Sequence, residues 1–254
     1  MLRRSIRAAA VFILLVAGAL GATPVLAAEV PVAVAANFTE PAKEIAAAFR
    51  RSTGDTAVLS FGASGQFYAQ ITHGAPYQVF LSADVDRPVQ AEKAGVGVPG
   101  TRFVYATGKL VLFSRTPGLV DDAGAVLRQP SRFARIAIAD PGAAPYGAAA
   151  VETMTRLNVY GPLKAKIVQG ASINQAWDFT RTGAAELGFV ALSEVVNEPG
   201  GSRWIVPDSL HAPIDQDAIL LAPGDSNPAA RRFLAFLRGP EAKAIIVRYG
   251  YTVH

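Results

Sequence analysis

The sequence predicts an α/β fold of two lobes, and three features of the chain support this prediction. Short apolar runs typical of buried strands alternate with segments whose apolar residues recur at helical spacing. This alternation occurs twice, once in each half of the 254-residue chain. No linker rich in proline and glycine separates the halves, so we expect crossing strands to form a hinge between the lobes. Alternating strands and helices are typical of largely parallel sheets, which we expect in both lobes.

The first 27 residues are predicted to be a signal peptide. Three arginines among the first seven residues form a basic start, and an apolar stretch follows from about Ala8 to Ala22. Small residues then form a cleavage pattern that ends near Ala27. The apolar stretch is short for a membrane span, so we expect cleavage and export to the periplasm.

The first lobe is predicted to comprise residues 28–107, and the chain is predicted to return to it at 215–254. The elements predicted in these segments are strands at 30–35, 57–61 and 79–82 and helices at 39–51, 66–72 and 227–249. The strands are short apolar runs. The helix at 39–51 has Pro41 in its first turn and carries Ile45 and Phe49 on one face. The last helical pattern is broken at Gly239–Pro240.

The second lobe is predicted to comprise residues 108–214. The elements predicted here are strands at 110–113, 135–139, 166–169 and 187–191, helices at 148–157 and 172–182, and a strand from 214 to 221. Each strand is again a short apolar run, and each helix follows a turn of small residues. This second series of strands and helices repeats the theme of the first.

The charge of the chain argues against binding to nucleic acid. The sequence has 24 basic and 20 acidic residues, and removal of the three arginines of the signal peptide leaves 21 basic residues against 20 acidic ones. The calculated pI of 9.5 therefore owes part of its value to the signal peptide. There is no cysteine, so neither a lipid anchor nor a disulfide is expected, and three scattered histidines predict no metal cluster.

Four junctions between a strand and the following helix share a composition of small or polar residues without a charge. They are residues 36–39, 62–65, 144–147 and 170–173. Ligands of open α/β sheets gather at the carboxyl ends of the strands, where helix N-termini present unpaired N–H groups and partial positive charge. Each junction alone is an ordinary helix cap, but the four together on two lobes predict an anion site, with Asn37 and Ser64 as side-chain donors.

The absence of an acidic residue from the junctions favours an anion that carries no proton. Monohydrogen phosphate needs an acceptor such as a carboxylate, whereas sulfate and molybdate accept hydrogen bonds only. The nearest acidic residues are Glu40, expected in a helical first turn that faces solvent, and Asp140, expected to form a turn before Pro141.

A secreted serine hydrolase is the alternative from another functional class. Residues 62–66 narrowly miss the nucleophile pattern G-x-S-x-G, because Gln66 replaces the last glycine. A hydrolase would need a histidine beside Ser64, and the chain offers His73, His211 and His254. A sensory module of two lobes is a third alternative, although the chain has no attached domain in support of it.

Several segments resemble the periplasmic molybdate-binding proteins of ABC transporters. They are VAVAANF (32–38), LSFGASGQ (59–66), GAP with FLSAD (74–84), ADPGAAPYG (139–147), ELGFVALS (186–193) and RYGYTV (248–253). The resemblance implies the type II periplasmic binding protein fold, with two lobes and a ligand cleft between them. It also implies capture of molybdate, and of tungstate, for a membrane permease, by a monomer that has no cofactor and catalyses no reaction. A sulfate-type oxyanion carrier is the alternative within this class.

The resemblance also implies which residues contact the oxyanion. Asn37 occupies the ligand position of the first loop, and Ser64 that of the second. Tyr146 and Ile173 match positions that donate a backbone N–H. Ala36 is a further contact position, where some members of the family carry a hydroxyl, so the site is expected to have one donor fewer.

Overall fold

The structure is a computed structural model that describes residues 27–253, so nearly all of the predicted signal peptide and His254 lie outside the described residues. The strands are β1 (Glu29–Ala35), β2 (Thr56–Gly62), β3 (Val79–Leu81), β4 (Phe103–Gly108), β5 (Leu110–Ser114), β6 (Ile136–Ala139), β7 (Ile167–Gly170), β8 (Leu187–Ala191), β9 (Ser202–Ile205) and β10 (Ile214–Leu220). The helices are α1 (Thr39–Thr53), α2 (Ser64–Thr72), α3 (Asp86–Lys93), α4 (Pro145–Arg156), α5 (Tyr160–Leu163), α6 (Ile173–Thr182), α7 (Leu192–Val195), α8 (Pro228–Leu237) and α9 (Pro240–Arg248). A single turn of 3-10 helix, Ala36–Phe38, joins β1 to α1.

These elements form two five-stranded sheets within the described range. The first has the strand order β2-β1-β3-β10-β4 and the second β7-β6-β8-β5-β9. We call the first sheet with α1–α3, α8 and α9 the first lobe, and the second sheet with α4–α7 the second lobe. The predicted α/β class is thereby confirmed.

The expectation of largely parallel sheets is only half right, because each sheet is mixed. In the first lobe β1 pairs in parallel with β2 and β3, whereas β10 runs antiparallel to β3 and β4. In the second lobe β6 pairs in parallel with β7 and β8, whereas β5 runs antiparallel to β8 and β9. The antiparallel strand of each sheet, β5 or β10, is the one that the chain enters directly from the other lobe, and it lies between an inner strand and the edge strand β9 or β4.

The chain passes between the sheets at two places. Only Lys109 separates β4 from β5, and residues 206–213 separate β9 from β10. The Lys109 ammonium lies 2.6 Å from a carboxylate oxygen of Asp208, so an ion pair joins the two crossing segments. These crossings are short and hold the lobes side by side.

Each lobe buries its own apolar core against its sheet. In the first lobe α1 presents Ile45 and Phe49, and the Phe49 ring meets Phe233 of α8 edge to face at 5.2 Å. In the second lobe Leu112 and Phe189 are fully buried beneath α4 and α6. The structure between residues 27 and 253 contains no helix of the length and apolar character that a membrane crossing requires.

Candidate functional site

The five residues predicted to contact an anion line one small cavity where the lobes meet. Its empty volume, which includes open solvent at its mouth, is about 200 Å³. The lining residues come from both lobes and are Ala35, Ala36, Asn37, Gly62, Ala63, Ser64, Ala83, Ala144, Pro145, Tyr146 and Ile173. The first seven belong to the first lobe and the last four to the second, so the cavity exists only where the two lobes approach each other.

Three helices begin at this cavity and bring backbone donors to it. Ser64 and Ile173 are the first residues of α2 and α6, and Tyr146 is the second residue of α4. The first N–H groups of a helix have no acceptor within it, and the helix dipole adds partial positive charge there. Within residues 27–253 none of these three N–H groups donates to a protein acceptor. They are the groups that an anion in the cavity would engage.

The Ser64 hydroxyl is held in place and still has a hydrogen to donate. The residue is 1% exposed, and its Oγ accepts a hydrogen bond of 2.9 Å from the backbone N–H of Ala83. This bond uses one lone pair and leaves the hydroxyl hydrogen, for which the described part of the chain supplies no acceptor. Ser64 therefore offers a side-chain O–H in addition to its backbone N–H.

The side chain of Asn37 is not the free donor that the sequence predicts. Its Nδ2 donates to Oε1 of Gln216 and to the hydroxyl of Tyr251, both at 2.9 Å. Its backbone oxygen accepts from Ser193 Oγ and from the Tyr251 hydroxyl, both at 2.8 Å. Both amide hydrogens are already engaged, so a contact of Asn37 with an anion through Nδ2 would have to replace one of these bonds.

The side chain of Ala36 supplies only a methyl group to the cavity wall. Its carbonyl oxygen accepts a hydrogen bond of 2.6 Å from the Thr39 hydroxyl and is thereby taken up within the loop. The predicted absence of a side-chain donor at this position follows directly from the residue type.

No lining residue carries a charge at neutral pH. The one ionisable side chain among them is the phenol of Tyr146, whose pKa burial raises well above its usual value, so it stays neutral. The nearby guanidinium of Arg87 donates to the carbonyl of Gly142 at 3.0 Å and is paired with Asp84. The cavity therefore presents hydrogen-bond donors without a formal positive charge.

The two acidic residues closest to the junctions in the sequence do not line the cavity. Glu40 forms an exposed ion pair with Lys43 at 2.7 Å. Asp140 accepts a hydrogen bond of 2.9 Å from the backbone N–H of Gly142, so it forms the predicted turn. No carboxylate from the described residues lines the cavity.

The lobes also contact each other directly beside the cavity. The Gly65 N–H donates to the carbonyl of Ala143 at 2.9 Å, and Arg87 of α3 reaches Gly142 of the same loop. On the opposite side the Ser193 hydroxyl donates to the Asn37 carbonyl. The structure therefore has the lobes closed on the cavity.

The histidines proposed for a hydrolase lie elsewhere. His73 follows the last residue of α2, so it is roughly 13 Å along the helix axis from Ser64, and its Nδ1 lies 2.7 Å from the carbonyl of Ala69. The Nδ1 of His211 lies 2.7 Å from the carbonyl of Ala212. His254 is outside the described residues.

Several residues that shape the site were not predicted from the sequence. Gln216, Tyr105, Tyr251 and Ser193 form a buried polar cluster around Asn37. The sequence offered little signal, because Gln216 is one of three consecutive polar residues, Asp215 to Asp217, in β10. Its partners are far away in the sequence and could not be identified from spacing.

Two mixed sheets with a donor-lined cavity between them define the class of two-lobed solute-binding proteins. The family model described as bacterial extracellular solute-binding protein matches residues 30–252, and the chain belongs to this family.

The relatives narrow the assignment within the family. The chain is 54% identical to the molybdate-binding protein ModA of Rhodobacter capsulatus, over 98% of this chain and 97% of that protein. It is 53% identical to ModA of Azotobacter vinelandii, over 89% of this chain and 90% of that protein. The solved structure of the Azotobacter vinelandii periplasmic molybdate-binding protein superposes with a TM-score of 0.85 at 41% identity, covering 89% of this chain and 99% of that one. The predicted resemblance and the two-lobed binding-protein fold are thereby confirmed.

Proposed function

We propose that this protein binds molybdate in the cavity between its lobes and presents it to the membrane permease of an ABC importer. The observation that carries the proposal is the cavity itself, which collects unpaired donors from helix starts of both lobes and has no charged lining residue. The names of the relatives at 53–54% identity support molybdate as the solute.

The chemistry of the donors favours a tetrahedral anion without a proton. Molybdate accepts hydrogen bonds from every direction and donates none, which suits three backbone N–H groups and the hydroxyl of Ser64. Monohydrogen phosphate would have to bury its own O–H without a carboxylate among the lining side chains to accept it, which costs free energy. Tungstate has the same charge and shape, and we propose it as a second ligand.

The proposed contacts follow the predicted set. Ser64 would donate through its hydroxyl and backbone, and Tyr146 and Ile173 through their backbone N–H groups. Asn37 would contact the anion from the first lobe, and Ala36 would contribute a backbone contact only. Binding would proceed by closure of the lobes around the anion, with no chemical step and no cofactor.

The proposed setting is the bacterial periplasm. The predicted signal peptide and the absence of cysteine favour an exported protein without a lipid anchor. The nearly balanced charge of residues 28–254 gives no support to a nucleic-acid partner. We propose a monomer that meets the permease only in its closed form.

A thermal-shift panel on the mature protein tests the function. A ligand present at about 100 times its Kd adds roughly 2.7 kcal/mol of stability, so molybdate and tungstate should each raise the melting temperature clearly. Stabilisation by sulfate alone would favour the sulfate-type carrier. Stabilisation by none of molybdate, tungstate, sulfate and phosphate would contradict the proposed function.

A further inference from the structure

One buried amide touches candidate site residues of both lobes. Gln216 lies in β10, the strand that returns from the second lobe, and it has no exposed surface. Its Oε1 accepts hydrogen bonds of 2.9 Å from Asn37 Nδ2 and from the Tyr105 hydroxyl. Its Nε2 donates to the Tyr146 hydroxyl at 3.2 Å. Asn37 belongs to the first lobe and Tyr146 to the second.

The backbone around Gln216 is shaped for this contact. The register of β10 against β4 shifts between Gln216 and Asp217, and such a bulge re-aims the side chain beside it. On β4, Gly108 leaves the space that the contact needs. A Cβ at residue 108 would overlap the Tyr146 hydroxyl and lie 2.8 Å from Gln216 Nε2.

The contact also satisfies polar groups that burial would otherwise leave unpaired. The side chains of Gln216, Tyr105 and Tyr146 are all buried. If Tyr146 moved away from Gln216 when the lobes part, Gln216 Nε2 would lose this acceptor to water. In the closed arrangement the hydrogen bonds from Gln216 reach both lobes.

We propose that Gln216 is a positioning residue that couples anion binding to lobe closure, because one amide holds both Asn37 and the helix start at Tyr146. This inference rests on the proposed function and adds the residue through which the two halves of the site are linked. The phenol of Tyr146 has a role separate from its backbone N–H: the N–H faces the anion and the hydroxyl fastens the helix to β10.

A double-mutant cycle tests the coupling. Tyr146→Phe removes the hydroxyl and keeps the backbone N–H, and Gln216→Met keeps the length of the side chain and removes its hydrogen bonds. We expect each variant to bind molybdate about tenfold more weakly in titration calorimetry. The double variant should be little weaker than Gln216→Met alone, because Gln216→Met already removes the bond between Gln216 and Tyr146.

Thr153→Val is the matched control. Thr153 is also fully buried in α4, and its hydroxyl donates to the carbonyl of Ala149 at 2.8 Å, away from the cavity. We expect it to lower the melting temperature of the unliganded protein and to leave the affinity unchanged. The coupling would be overturned if Tyr146→Phe and Gln216→Met behaved like Thr153→Val, with lower melting temperatures and wild-type affinity. Additive losses of molybdate affinity in the cycle would overturn it as well.

A second measurement separates failure of the coupling from failure of the proposed function. The chain contains no cysteine, so exposed Lys93 on the first lobe and Lys164 on the second can be replaced by cysteine and spin-labelled at these two positions alone. Without any anion, Tyr146→Phe should populate longer inter-label distances than the wild type. Identical distance distributions would overturn the coupling whether or not the wild type binds molybdate.

Discussion

At the scale of single residues, Ser64 combines a structural bond with a free donor. The Ala83 N–H holds its oxygen in place, and the hydrogen is left for a ligand. A hydroxyl fixed in this way loses little conformational freedom on binding, and a hydrogen bond to an anion contributes about 1.5–3 kcal/mol.

Replacement of Ser64 by alanine should weaken molybdate binding about tenfold or more, since a charge-assisted hydrogen bond is lost. Titration calorimetry measures the change. Ser114→Ala is the matched control, because Ser114 is likewise buried and its oxygen accepts a backbone N–H, that of Thr116, at 3.1 Å in the second lobe. Both variants should lose some stability, but only Ser64→Ala should lose affinity. Equal affinities would remove the Ser64 hydroxyl from the site.

The sequence predicted which residues line the cavity better than it predicted which side chains they contact. The junctions that hold Ser64, Tyr146 and Ile173 were identified because strand ends followed by small residues and a helix are visible in a sequence, and the family resemblance then implied Tyr146 and Ile173 within them. The engagement of Asn37 by Gln216 and Tyr251 was missed, because those partners lie 179 and 214 residues away in the chain. Only the tertiary fold brings such groups together.

At the scale of elements, the start of α2 packs against the loop 140–144 of the other lobe. A Cβ on Gly65 would lie 3.0 Å from both the Cα and the carbonyl oxygen of Ala143, and 2.9 Å from an Arg87 nitrogen. Glycine therefore permits the approach that closes this side of the cavity.

Gly65→Ala should weaken molybdate binding several-fold and leave the unliganded protein about as stable as the wild type. The added methyl meets Ala143 of the opposite lobe only on closure, and its neighbour within the first lobe is the far end of the flexible Arg87 side chain, so the open form should be little affected. Calorimetry and thermal unfolding measure the two quantities. Gly161→Ala is the control, since a Cβ there would meet nothing within 4 Å. Wild-type affinity in Gly65→Ala would show that this contact is not needed for binding.

The order of strands and helices was largely predictable, but five elements were not. The strands β4 and β9 and the helices α3, α5 and α7 were missed. The segment that forms β4 has strand-forming residues, yet it continues almost directly into β5 across Lys109. The sequence therefore suggests one strand, whereas the structure has two strands that belong to different sheets. The antiparallel insertion of β10 is likewise a tertiary event with no local signature.

At the scale of the whole molecule, three buried phenols from both lobes gather near the crossing strands. Burial raises the pKa of Tyr105, of Tyr146 and of Tyr251 above the ordinary value of 10.0. The phenols are therefore neutral in the folded protein at pH values where they would ionise in the unfolded chain.

This difference predicts the alkaline limit of stability. A raised folded pKa means that the unfolded chain holds fewer protons above pH 10, so the contribution to stability is complete below pH 10 and is lost as the pH rises further. The free energy of unfolding should fall by up to about 1.4 kcal/mol per pH unit for each buried tyrosine. Urea unfolding between pH 8 and pH 11.5 measures it.

Tyr251→Phe supplies the internal check on this pH dependence. With one phenol fewer, the slope above pH 10 should be shallower than in the wild type, whatever the absolute stability of the variant. A free energy of unfolding that stays constant up to pH 11.5 in the wild type would contradict the burial of these phenols.

A cavity lined by donors from both lobes should hold one molybdate ion. A crystal structure of the mature protein grown with molybdate, with an anomalous difference map recorded at the molybdenum absorption edge, would locate this ion. We expect one strong peak between the lobes, with ligand oxygens within hydrogen-bond distance of the Ser64 hydroxyl and of the N–H groups of Tyr146 and Ile173. A peak at a cationic side chain outside the cavity, or an unoccupied cavity at saturating molybdate, would contradict this site.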